Sequence, residues 1–134
     1  MGTHDEYLVK APGIVIGRKG TIGRVIWLDK DFFPIDTTFY ITDKLGVDDL
    51  FFHYFVLKKQ KFDRFVSDSA VPGLNRNIAL SIEELVPDLR IIKIFNQIVK
   101  PMFGKIAVNT NQIETLTRLR DTLLPKLMSG QIRV

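Results

Sequence analysis

Val99, Met102, Ile106, Asn109, Ile113, Leu116, Arg120, Leu123 and Leu127 recur at alternating steps of three and four residues. That spacing aligns one face of an α-helix against another helix, and nothing else in the sequence restricts the fold as strongly. The helical pattern starts near Leu89, and at about 1.5 Å per residue a helix from residue 90 to 128 is on the order of 58 Å long. The preceding 89 residues cannot cover that length, so part of the stripe has to meet something else. Asn109 and Arg120 interrupt an otherwise apolar seam. Pro101 removes a backbone donor inside the run and predicts a kink or a division in two. Gly104 and the stretch from Val108 to Asn111 weaken the middle further, which makes a helix-loop-helix the competing layout. Pro125 loosens the last turns, and Ser129-Gly130 supplies the stop.

At 134 residues, 46% hydrophobic and 25% charged, the chain has the length and balance of one folded domain with an appendage. Cysteine is absent, so neither a disulfide framework nor thiolate chemistry is available. A zinc site would need both His4 and His53 plus carboxylates, which makes structural metal improbable. No apolar run approaches the ~18 residues that span a bilayer, and the start MGTHDEYLVK lacks the apolar core of a signal peptide. The cytoplasm is the expected location.

The net charge of +4 points to an anionic partner. Its distribution qualifies that inference: residues 1–89 hold 11 Lys/Arg against 13 Asp/Glu, and residues 90–134 hold 8 against 2. The excess therefore belongs to the C-terminal third.

Ahead of the helix, Gly13 to Asp29 sets two β-rich runs around a turn with Gly17, Gly20 and Gly23, the pattern of a hairpin. Phe33 to Thr42 alternates Ile35, Thr37, Phe39 and Ile41 with polar or amphipathic residues, a half-buried strand. The period then changes. Asp48 or Asp49 can cap a helix carrying Leu50, Phe51, Tyr54, Phe55 and Leu57 largely on one side, with Lys58, Lys59 and Lys61 near its end. His53 lies in that helix and reads as a partly buried histidine. Ser67 to Leu80 has the composition of a loop, with Pro72-Gly73 and the self-bonding side chains of Asn75 and Asn77. Ser81 with Glu84 offers a capping box for a short turn, and Pro87 closes the globular part.

Three sets of residues bear on chemistry. The segment Gly17 to Gly23 matches neither phosphate-loop spacing, and strand rather than helix follows it. It reads as a hairpin, and a hairpin that is also used: Arg18, Lys19 and Arg24, with no acid among residues 14–28, give a local charge suited to a DNA backbone or a guanine edge. In the stretch from Pro72 to Asn77, Arg76 can pair with guanine, and Asn75 and Asn77 with adenine; the alternative is a polar loop with self-capping asparagines. For catalysis there is no nucleophile elbow, no H-E-x-x-H and no plausible triad with two histidines, so an active site in this chain is improbable.

GIVIGRKGTIGRV, DTTFYI, SAVPGLNRN and above all LRDTLLPKLMSGQIRV resemble the second half of the specificity subunit of type I restriction-modification systems. The resemblance covers roughly residues 9–134. It implies an α+β fold: a small β-rich target recognition domain with short helices, then a long C-terminal helix that pairs antiparallel with another helix. In that family a subunit carries two recognition domains, each followed by a long helix, and each domain reads half of a split DNA site. Methylation and restriction subunits perform the chemistry and hold S-adenosylmethionine, ATP and Mg, so no cofactor is expected in this chain. Two departures stand out: this sequence holds one recognition domain, shortened before Tyr7, and its helix start lacks a glutamate-glutamine-rich opening. A truncated gene, a fragment and a half-subunit that dimerises all remain open.

The expected organisation is a partial recognition domain over residues 1–89 and a spacer helix with tail over residues 90–134. Arg18, Lys19, Thr21 and Arg24 on the hairpin, with Asn75, Arg76 and Asn77, are the expected residues facing double-stranded DNA. Val99, Met102, Ile106, Ile113, Leu116, Leu123 and Leu127 are the expected helix-pairing surface, serving a homodimer or the methylation and restriction subunits. The rival is a scaffold fragment that binds no DNA and acts only through its helix.

Overall fold

A computed structural model describes residues 6–43, 50–65 and 72–132. The chain divides into two compact units, Met1–Gln97 and Ile98–Val134, and the division falls inside the long helix. The first unit is built on a three-stranded antiparallel sheet of β1 (Gly13–Gly17), β2 (Val25–Leu28) and β3 (Thr38–Thr42) in the order β2-β1-β3. The expected hairpin is present: Ile14 faces Trp27 and Ile16 faces Val25 across β1 and β2. As the central strand, β1 is buried along its whole length, which is why its GIVIG sequence carries no polar alternation.

Period-two geometry puts Ile14, Ile16, Val25, Trp27, Phe39 and Ile41 on one face of the sheet. Helix α1 (Leu50–Lys59) covers that face, with Phe51 stacked on Trp27 at 4.6 Å and Tyr54 meeting the same ring edge-on. Ile16, Phe62 and Leu74 form the centre of the core; Phe62 comes from a 3-10 turn at Phe62–Phe65. On the other face, Tyr40 packs edge-on against Phe32.

Several sequence expectations shift. The strand expected from Phe33 begins only at Thr38, because both the N–H and the Oγ1 of Thr38 bond to the Ile35 carbonyl and spend the residues between on a turn. Ile35, placed inward by the alternation, is exposed. The capping residues Asp48 and Asp49 lie outside the described residues, and so does Ser67 to Val71 of the expected loop. The end of that loop is instead a helix, α2 (Arg76–Leu80), capped by Asn75, whose side chain accepts from the N–H of Asn77 at 2.8 Å. Ser81 does not start a capped turn: its N–H and Oγ both bond back to the Ile78 carbonyl and close α2, and residues 82–88 have no regular structure.

Helix α3 spans Leu89–Met128, 40 residues, through Pro101 and Pro125. Asp88 caps it by accepting from the N–H of Arg90 at 2.7 Å. The break anticipated at Pro101, or near Asn109, does not occur. The polar middle turns its hydroxyls inward: Thr110, Thr115 and Thr122 donate to the carbonyls of Ile106, Asn111 and Arg118 one turn back. Those side chains stay with the helix rather than competing with it. The helix stops where expected, with Gly130 in the left-handed region at φ 70° and the N–H of Gln131 bonded to the Lys126 carbonyl. Within the first unit, its opening turns add buried Ile92 and Asn96, and Phe95 meets Phe52 and Phe55 edge-on. Among the described residues no helix is long and apolar enough to cross a membrane.

Candidate nucleic-acid interface

The backbone of Arg18 joins three segments. Its N–H donates to the Thr37 carbonyl at 2.9 Å, tying the β1-β2 connection to the turn before β3, and its carbonyl accepts from the N–H of Leu74 at 3.0 Å. Leu74 is fully buried in the core and leads directly into Asn75 and α2. The connection itself is held tight by bonds from Gly17 N–H to the Arg24 carbonyl and from Gly23 N–H to the Gly17 carbonyl. A side chain at Gly17 would collide with the carbonyl of Thr21, so this position requires glycine for close approach.

The result is a groove of about 840 Å³ lined by β3, by Ile16, Arg18, Leu57 and Phe62, and by Arg76, Ala79 and Leu80 of α2. All five residues of β3 line it, from both faces of the strand, so it runs along the outer edge of the sheet. Among the described residues, no acidic side chain borders it. The Arg18 guanidinium lies over the Phe39 ring at 5.5 Å from its centroid, a cation-π contact that fixes the charge at the groove.

Of the seven residues expected at DNA, the structure puts Arg18 and Arg76 together on this groove. Lys19, Thr21, Arg24, Asn75 and Asn77 are exposed but lie off its wall. The Asn75 side chain is engaged as the helix cap, which is the self-capping alternative weighed for that stretch. Sequence reasoning missed Thr38, Tyr40 and Thr42. These are the alternate positions of β3 opposite its core-facing Phe39 and Ile41, and the period-two pattern carried that signal.

Glu84, near His53, has a displaced titration. Burial pushes its carboxyl above the ordinary value, and the positive charge of His53 pulls the other way. Its Oε1 is sealed from solvent and accepts no hydrogen bond among the described residues. No group of three potential metal-ligating side chains comes together among the described residues.

In the second unit the seam is open. Met102, Ile106, Ile113, Leu116, Leu123 and Leu127 are exposed, Leu116 by 64%, whereas Val99 is buried within the chain.

A family model described as the type I restriction modification DNA specificity domain matches residues 1–118. The HindI type I restriction enzyme specificity subunit of Haemophilus influenzae is 30% identical over 131 residues, covering 92% of this chain and 28% of that protein. The MjaIX type I restriction enzyme specificity subunit of Methanocaldococcus jannaschii is 44% identical over 50 residues, 37% of this chain and 12% of that protein. The chain thus matches less than a third of the length of either relative. No solved structure matches.

Proposed function

Because the chain belongs to the type I restriction-modification DNA specificity family, we propose that it reads one half of a bipartite DNA site and docks partner subunits through α3. It performs no chemistry of its own in this reading. Methylation and restriction subunits would supply catalysis, along with S-adenosylmethionine, ATP and Mg. The observation that carries the proposal is the groove of the first unit, where Arg18 and Arg76 converge and, among the described residues, no acid lines the wall. Two guanidinium groups in such a place suit phosphate oxygens or a guanine edge, and Lys19 and Arg24 on the neighbouring connection would add backbone contacts.

Duplex binding measured over a salt series tests this. Arg76→Ala should lose about 1–3 kcal/mol against the cognate half site and relax discrimination between sequences. Lys19→Ala should weaken all duplexes alike and flatten the salt slope by about one. Unchanged discrimination in Arg76→Ala removes that residue from base reading.

The second reading, a scaffold that acts only through its helix, is favoured by the exposed seam from Met102 to Leu127. It predicts no duplex binding at any salt concentration together with full partner docking.

A further inference from the structure

Arg18 and Phe39 meet across the sheet by register. The N–H of Arg18 bonds to the Thr37 carbonyl, which carries the β1-β3 ladder one pair beyond Gly17 and Thr38. Arg18 therefore follows Ile14 and Ile16 on the core-facing side, with Phe39 on the diagonal, a separation that long and aromatic side chains span. The Phe39 ring packs against the core centre of Ile16, Phe62 and Leu74, and the Arg18 guanidinium lies over it, 5.5 Å from the centroid. Stacking uses the face of the guanidinium and leaves its N–H donors in the plane, directed outward. Among the described residues no acid lines the groove to take that fork.

From this stack we propose that Phe39 is a positioning residue that makes Arg18 the guanine-reading group of the groove. The proposal rests on the reading of the first unit as a DNA-binding unit. A bidentate contact to guanine O6 and N7 requires the guanidinium plane in one orientation, and a side chain already held there gives up less rotamer freedom on binding. Three restraints act on Arg18: the ring beneath its head, the Thr37 carbonyl on its N–H, and the Leu74 N–H on its carbonyl. It is half-buried, whereas Lys19 and Arg24 on the same connection are exposed.

A phosphate contact has different requirements. Phosphate oxygens line the outside of a duplex and are met by long side chains in many orientations, which suits the exposed Lys19 and Arg24. The wall around Arg18 also carries Ile41, Leu57 and Ala79. An apolar wall penalises the desolvation of a phosphate charge, but it accepts the flat edge of a base or a thymine methyl group. Arg18 thus has the setting of a base reader, and the half site it serves contains guanine.

Selection by the full chain from a pool of random duplexes should enrich a half site that contains guanine. Enrichment of a site without guanine overturns the proposal and leaves duplex reading intact; no duplex binding at any salt concentration overturns both. Each guanine of the enriched site can then be replaced in turn by 7-deazaguanine, which lacks the N7 acceptor. At one position this should weaken wild-type binding about tenfold and cost Arg18→Ala nothing further; equal losses in both proteins overturn the proposal. Arg18→Lys keeps the charge and loses the fork, so it should abolish the same preference at an unchanged salt slope. If Arg18→Ala instead weakens every duplex alike and lowers the slope by about one, Arg18 is a phosphate contact and the proposal fails. Phe39→Leu should shrink the guanine preference about twofold to fivefold, and Phe39→Tyr, which keeps the ring, should preserve it. Pentafluorophenylalanine at position 39 keeps the ring's shape and reverses its charge distribution, which separates stacking from core packing even where the leucine variant unfolds. A full guanine preference with the fluorinated ring overturns the positioning role.

Discussion

Leu74 shows how much a single buried side chain can position. Its isobutyl group is sunk in the core beside Ile16 and Phe62, and burial of that kind contributes about 1.5–3 kcal/mol. Its N–H meanwhile holds the Arg18 carbonyl, so the same residue that stabilises the core brings two arginines to one groove. Glu84 has the opposite character, with an oxygen buried and unsatisfied among the described residues. A carboxyl whose folded-state pKa lies above its unfolded value stabilises the fold while protonated, and that contribution is lost as pH rises through the folded-state value. Glu84→Gln stays neutral at every pH. Its melting temperature should therefore exceed that of the wild type near pH 7, and the gap should close below about pH 4, where the wild-type carboxyl is protonated too. A gap independent of pH would assign the effect to packing rather than to charge.

The two helices α2 and α3 show where local sequence signals are ambiguous. Asparagine at position 75 suits a loop and a helix cap equally, because in both its side chain accepts from a backbone N–H two residues on. Tertiary burial of Leu74 and closure by Ser81 decide for the helix. For α3, proline chemistry predicted a break, yet the helix runs through Pro101. One missing donor costs about 3 kcal/mol, and a helix this long, anchored at its start by buried Ile92 and Asn96, absorbs that cost. Pro101→Ala restores the donor. It should raise the unfolding midpoint and slow amide exchange in the residues just before and after position 101, with a gain of up to about 3 kcal/mol. No gain would mean that the helix is shaped around the proline.

For the chain as a unit of assembly, the proposed function has α3, with its exposed seam, dock a partner that carries a second recognition domain, which would give an assembly with two DNA-reading units. On a duplex carrying two half sites, linkage should raise apparent affinity by on the order of 100-fold over a single half site. Leu116→Asp should abolish that enhancement while leaving single-site binding near wild type. Loss of both together would show that the first unit needs the seam to fold. Mobility shift assays on one-site and two-site duplexes read the difference.

The amino-acid order was sufficient to specify the hairpin from Gly13 to Leu28, the helix ending at Ser129-Gly130, and the apolar stripe, because turn chemistry, capping and periodicity act between near neighbours in the chain. It was also sufficient for the family resemblance carried by the LRDTLLPKLMSGQIRV motif. Folding in three dimensions settled other matters: that Arg18 and Arg76, far apart in sequence, share one groove, that Tyr40 borders it, and that Glu84 is partly desolvated. Each of these depends on contacts between distant segments and on which surface is removed from water, and local periodicity encodes neither.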